Sequence, residues 1–555
     1  MTFLKKIRHE RGMALIIALV LTLMLTIVGL GIIKSANDEL SIAGNEMHEM
    51  TTFYTAEAGL EKSMALIQNY YEDYDRPPDT LPAETLQVNE IIVFYESFKG
   101  DTSTSTISKG SMAGLMGLTQ PFIISATAID SANNSTITLQ ETFEVGLVPI
   151  FQFSVFYDED LEIAPGPSML LLGRVHSNGD LYIQSENSLH IDSYMTAHGD
   201  IYHGRKPGSG LSDANGDVDI MSLDGSYYSM KDGSDWLDSE DSYWFDSSVA
   251  RWGGRVQDAS YGQESLNLPL EDESNPHAII ERDTANGGNP DSFENEAELK
   301  IVEGTALWYN GSSWIDVTTD LETAGILQET TFRDRREGED VTVYDIDLNA
   351  FSTSSYFPSN GIVWTADDRS GYRATRLYNA DEVESDIGFT LASENPVYTQ
   401  GDVNSVDKKP MAIITDALTI LSNNWDDANA TLSTSDRQAT DTETNFAYIT
   451  GNRETGGSYY NGGLENLPHF LETWSGDTLT YTGSMICLWQ SQVSTSWPTE
   501  YSPPYRDWSF DNDLTDPDKM PPGTPCVRTF IRMGWHQENV GYVFTEEMLS
   551  ETVTD

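Results

Sequence analysis

Oxygen-bearing side chains crowd one short run of the chain: Asp213, Asn215, Asp217, Asp219 and, five positions further on, Asp224. Alternating oxygens on a tight turn suit a hard cation, which gathers about six to eight of them at about 2.3–2.6 Å. The run departs from a calcium loop at two points. Val218 stands where the turn calls for glycine, and Asp224 rather than a glutamate stands at the twelfth place. Two readings stay open, a Ca2+ site and a solvated acidic turn. No cofactor is required by the sequence, and Ca2+ is the one it admits.

The other reactive side chains are few. Cys487 lies in the apolar stretch SMICLW and Cys526 follows the turn PPGTP. In an oxidising compartment the two would form one disulfide, worth roughly 3–4 kcal/mol; the alternative is two unpaired buried thiols. His176, His190, His198 and His203 fall close together, but they do not share a column when the local repeat is aligned, so turn-lining histidines are the expectation. There is no Gly-x-Ser-x-Gly elbow, His-Glu-x-x-His pair, Walker A loop or Gly-x-Gly-x-x-Gly. No residue is assigned a catalytic role, and a non-enzymatic protein is expected.

These residues belong to a chain of 555 residues with 88 acidic and 31 basic side chains, a formal net charge of −57. Such a charge repels polyphosphate, so nucleic acid is excluded as a main partner. Twelve Trp, 26 Tyr and 20 Phe are too many for a disordered acidic chain, so the acidity coats folded domains.

The N-terminus sets the compartment. Lys5, Lys6, Arg8 and Arg11 precede a stretch from Met13 to Ile33 without a charged side chain. As a helix it spans roughly 30 Å, about one hydrocarbon core. The basic flank keeps the N-terminus cytoplasmic and puts the rest across the membrane. Apolar residues then recur at helical spacing through Leu40, Ala43, Met47, Met50, Tyr54 and Ala58 to Met64–Ile67, with no proline before Pro77. One helix is expected from the membrane to about residue 70.

Arg11-Gly12 followed by Met13-Ala14-Leu15 and a long apolar helix resembles the class III leader of type IV prepilins. The AGN at Ala43–Asn45 and the FYTAEAGLE at Phe53–Glu61 resemble the N-terminal segment of PilX-family minor pilins of type IV pili. The resemblance covers residues 8–67. It implies cleavage between Gly12 and Met13, and a membrane and filament helix that begins at Met13 and includes Ile17 and Ile33. Its implied partners are a prepilin peptidase, the inner-membrane assembly platform, other minor and major pilins and a tip adhesin. It places the protein in the inner membrane as a single-pass protein, and after assembly on the pilus at the cell surface. Counting from Met13, the fifth residue is Ile17, where major pilins carry glutamate. An uncleaved signal anchor on a surface enzyme or carbohydrate-binding protein remains the alternative.

The fold class expected is α+β, a long pilin-like helix followed by a mostly β head. Expected divisions are a leader 1–12, a stalk helix 13–70, a pilin-like β subdomain 71–150, a repeat 151–210, an acidic insertion 211–345 and a mostly β region 346–555. The strands Glu90–Phe98, Pro121–Asp130 and Ser135–Val145 read from their alternation, the last two as a hairpin. Thr102–Gly117 reads as a flexible loop. HSNGDLYIQ (176–184) and TAHGDIYHG (196–204) repeat Gly-Asp-aliphatic-Tyr twenty positions apart. A short strand plus turn at that period suggests parallel β-solenoid coils, with TQGDVN (399–404) and ITDALTILSNNW (414–425) as further rungs. TALWYNGSSWIDVT (305–318) reads as a hairpin turning at Asn310-Gly311.

Overall fold

The computed structural model describes residues 4–74, 76–110, 112–283, 288–455, 459–496 and 500–538. It contains a long N-terminal helix and a large region built mostly of β-strands. Contacts divide the chain into two units, one of residues 1–101, 120–144 and 532–555, the other of residues 102–119 and 145–531.

In the first unit, α1 (Leu4–Tyr74) runs unbroken and stops ahead of Pro77 and Pro78. The strands that follow along the chain are β1 (Ala83–Val88), β2 (Ile91–Lys99), β3 (Ser103–Thr106), β4 (Met116–Asp130) and β5 (Ser135–Pro149), with β3 and the ends of β4 and β5 at 116–119 and 145–149 counted in the second unit. Their sheet has the order β1-β2-β4-β5 and ends on the last strand, Cys526–Glu538, with β3 attached to β4. The expected hairpin is β4 and β5. Its turn sets Asn134 at φ 52°, while the Asp130 carboxylate accepts from the backbone N–H groups of Ala132 and Asn133. Alternation along β2 buries Ile91, Val93 and Tyr95.

The expected flexible loop 102–117 is corrected. β3 pairs antiparallel with β4, Ser103 opposite Thr119 and Thr106 opposite Met116. Ile107, Met112 and Leu115 are buried beside it and anchor a stretch that looks merely polar by composition.

In the second unit, each coil of chain between residues 153 and 221 gives one strand to each of three ladders. The first three are β6 (Phe153–Tyr157), β7 (Leu161–Ile163), β8 (Met169–Leu171); β9 (Arg174–Ser177), β10 (Leu181–Ile183), β11 (Ser188–Ile191); and β12 (Met195–Ala197), β13 (Ile201–His203), β14 (Asp217–Met221). All neighbouring strands in these ladders run parallel, with Leu161 beside Leu181 beside Ile201 and Val155 beside Val175 beside Met195. Every one of these side chains is fully buried, so each ladder stacks aliphatic on aliphatic through the interior.

The Gly-Asp repeat has a physical cause. Asp160 Oδ1 accepts from Asp180 N at 2.8 Å, and Asp180 Oδ1 accepts from Asp200 N at 2.9 Å. Each carboxylate lies where the next coil's preceding residue would carry Cβ, 2.4 Å away at Gly179 and 2.3 Å at Gly199. Only glycine leaves that room. The stacked aspartates are thus held by backbone donors one coil on.

The chain does not wind from one end to the other. Its largest sheet has twelve strands, and β6 lies in the interior of the order. From β6 the chain steps outward through β9 and β12 to Val256–Gln257 at one end. The next strand of this sheet, Leu299–Val302, then pairs near the opposite end with Ile362–Ala366. Further coils return through Phe389–Ser393, Met411–Thr415 and Ala447–Asn452 to Met485–Gln490, which pairs parallel with β6. The rungs expected at 399–404 and 414–425 are in these coils, and the 305–318 hairpin forms at the sheet's end as Thr305–Tyr309 and Trp314–Asp316. Within the acidic stretch 211–345, β14, Val256–Gln257 and Leu299–Val302 are all ladder strands, with acidic loops between them.

Candidate assembly helix

Along α1 the side chains fall into two regimes. From Met13 to Ile33 the large apolar residues stand in solvent: Met13 is 63% exposed, Ile17 56% and Ile33 59%. The hydroxyls in this stretch are satisfied internally, Thr22 Oγ1 donating to Ala18 O at 2.9 Å and Thr26 Oγ1 to Thr22 O at 2.7 Å. Among the described residues this is the one helix long and apolar enough to cross a membrane. Gly12 lies within the helical span.

From Thr52 onward one face is buried on the sheet: Thr52, Thr55, Ala56, Leu60, Ser63, Met64, Ile67 and Tyr71, at helical spacing. Small residues let the helix come close. A Cβ on Gly59 would meet Val93 Cγ1 at 2.7 Å and Ala126 Cβ at 3.1 Å. Ser63 and Ser97 hydroxyls pair at 2.6 Å, and Tyr71 OH donates to Gln120 Oε1 at 2.9 Å. Arg532 ties the last strand to this surface, donating to Glu141 at 2.7 and 2.8 Å and to Glu61 at 2.6 Å. These carboxylates push the Arg532 guanidinium further up, so it stays charged. The sequence stripe thus splits: Leu40, Met47, Met50 and Tyr54 remain exposed, and the docked face begins only at Thr52. The run of small residues Ala56, Gly59 and Ser63 is the signal that marks the docked face.

The acidic run does not converge. Asp213 Oδ1 accepts from Arg205 N at 3.0 Å, Asp217 pairs with Lys231 Nζ at 3.0 Å, and Asp219 lies 3.2 Å from His190 Nε2. Asp224 accepts from Ser226 N and Tyr228 OH, and Asn215 contributes its carbonyl to Lys231. No group of three or more His, Cys, Asp or Glu among the described residues is arranged to hold a metal ion. The middle of the run, Asp217–Met221, forms strand β14, with Val218 and Ile220 buried and the Asp217 and Asp219 carboxylates facing outward.

The expected disulfide is not formed: Cys487 and Cys526 both carry thiols. Cys487 is buried in the coil interior, where desolvation pushes its thiol up, and its Sγ donates to Trp489 O. Cys526 is half-buried at the head of the last strand, its Sγ donating to Thr524 O. The four histidines go separate ways. His176 is buried between Thr196 and Asn178, its pKa pushed down to about 4 by desolvation. His190 faces Asp219, His198 contacts Gln263 O, and His203 stacks on Trp236 at 3.4 Å.

Residues 11–61, which hold the exposed helix and the first turns of the docked face, match the protein family described as PilX N-terminal. Among solved structures, the chain is similar to the competence-associated pilin ComZ from Thermus thermophilus, at 11% identity and a TM-score of 0.32. The similarity covers 88% of this chain and 97% of that one. A search of the curated proteins found no match.

Proposed function

We propose that this protein is a minor-pilin-like structural subunit of a type IV pilus or a related pseudopilus. The observation that carries the reading is α1 itself: an exposed apolar half running without a break into a half docked on a sheet, over the residues that match the PilX N-terminal segment. In this reading a prepilin peptidase cuts after Gly12, the inner-membrane platform inserts α1 beside other pilins, and the head is displayed outside the cell. The head acts by display and adhesion and performs no catalysis. Its coils, stacked in parallel ladders, are read as a β-solenoid that carries the acidic surface.

Ile17 favours a place at the filament tip. A glutamate five residues into the mature chain offsets the terminal amine of a neighbouring subunit, because a lone charge in an apolar bundle is costly. Ile17 offers no such partner, and at the tip none is needed. Mass spectrometry of sheared filaments tests the reading. The expected N-terminus is Met13, Gly12→Asp blocks processing, and the copy number is a few per filament. Intact Met1 in filaments, or stoichiometry equal to the main subunit, defeats it.

A further inference from the structure

Resting on that reading, we propose that residues 39–54 of α1 form a seam for the helix of a different filament subunit, one with Lys or Arg beside its apolar stripe. Leu40, Ala43, Met47, Met50 and Tyr54 recur at alternating spacings of three and four, the a and d positions of a heptad. All are exposed, Leu40 at 71%, Met47 at 61%, Met50 at 56% and Tyr54 at 58%. At 3.6 residues per turn the stripe lies about 160° round the helix from the face docked on the sheet. The protein's own sheet therefore leaves it bare. Beside its lower end is a pocket of about 240 Å³ lined by Glu49, Met50, Phe53, Tyr54, Ile137 and Gln537. Trp535, 53% exposed, stands edge-on to Phe53 at 5.4 Å. A pocket of this kind beside a heptad seam receives one large apolar side chain from a facing helix.

Charge selects the occupant. The segment from Lys34 to Lys62 carries Asp38, Glu39, Glu46, Glu49, Glu57 and Glu61 against those two lysines and His48. Glu39 and Glu46 occupy the flanking g positions, while the e positions hold Gly44 and Thr51. A second copy in register brings its own carboxylates and sets only Gly44 and Thr51 opposite Glu39 and Glu46. A helix with bases opposite Glu39 and Glu46 gains pairs on that flank, which is how such seams choose partners.

The test uses the full-length chain in producing cells, with photoreactive benzoylphenylalanine at Met47 and, as a control off the seam, at Ser41. The expected adduct from Met47 maps to the N-terminal helix of another pilin-type subunit, with Lys or Arg within about one turn. Glu39→Lys with Glu46→Lys lowers its yield by about tenfold or more, the paired Gln substitutions lower it less, and the N-terminus at Met13 is unchanged. A processed chain whose Met47 adduct is to its own helix, is absent, or ignores charge reversal overturns the seam alone. Recovery of only the unprocessed chain overturns the filament reading instead.

Discussion

Glu465, within a 3-10 turn at Gly463–Asn466, is a carboxylate that the fold prefers to keep protonated. It is 5% exposed; Oε1 accepts from Ala164 N at 3.0 Å, while Oε2 is buried without a hydrogen bond. Desolvation pushes its pKa up to about 7, with the negative charge of Glu162 adding to the rise and Arg506 and backbone donors opposing it. Tyr157, Tyr460 and Tyr501 stand near enough to feel its charge. The folded chain holds a proton that the unfolded chain loses near pH 4.5. Stability is therefore full below about pH 4.5, falls as pH rises, and levels off above about pH 7, a loss on the order of 3 kcal/mol. Glu465→Gln should match the parent protein's melting temperature at pH 5 and exceed it at pH 8. An equal difference at both pH values would mean that this carboxyl does not titrate across the window. The same scale shows how an acidic run can resemble a cation loop and still hold a strand. Asp217 and Asp219 alternate with Val218 and Ile220 as the outer and buried faces of one strand, while Asp213, Asn215 and Asp224 lie in the loops beside it.

On the scale of the element, two glycines in one helix should respond with opposite signs. Gly44 has open space where a Cβ would go, whereas at Gly59 the Cβ would press on Val93 and Ala126. Gly44→Ala should stabilise the isolated protein by up to about 1 kcal/mol through helix propensity. Gly59→Ala should destabilise it by about 1–3 kcal/mol, since the sheet must move away, and proteolysis should then cut within residues 52–71. Denaturant unfolding of both variants checks this, and a shared sign would deny the close approach. The helix was legible in the sequence because length, hydropathy and the missing proline all agree. Its two faces were not, because Met47, Met50 and Tyr54 share the helical spacing of the docked residues without sharing their burial.

For the molecule as a whole, two coils announce themselves and the rest do not. β7, β10 and β13 keep a strict twenty-residue register enforced by Asp160 and Asp180, although the first coil lacks the glycine and hides from a motif search. Later coils pair Ser393 with Thr415 but Ala412 with Ala447 and Tyr448 with Met485, so loops of changing length erase any period. The order of winding was beyond reach, because no local pattern says that β6 waits for a strand near the chain's end. Ser484 Oγ reaches Phe153 O across 331 positions. Contacts so distant in sequence form slowly. Pulse-labelled hydrogen exchange during refolding should protect Asn178 N, bonded to Tyr157 O, before Asp158 N, bonded to Cys487 O. Simultaneous protection would mean that both sets of coils close in one step.

Interior placement of β6 has a mechanical side. A coil stack whose terminal coil carries the chain's end can be unravelled by a tug, one rung after another from the tip of the stack. Here the chain joins the twelve-stranded sheet at β6 and leaves it at the adjacent Met485–Gln490, while both outermost strands continue into further chain. Tension on the polypeptide finds no loose end at either extremity. It must pull apart a pair of neighbouring, fully flanked strands at once, so the bonds between them bear the load together rather than in turn.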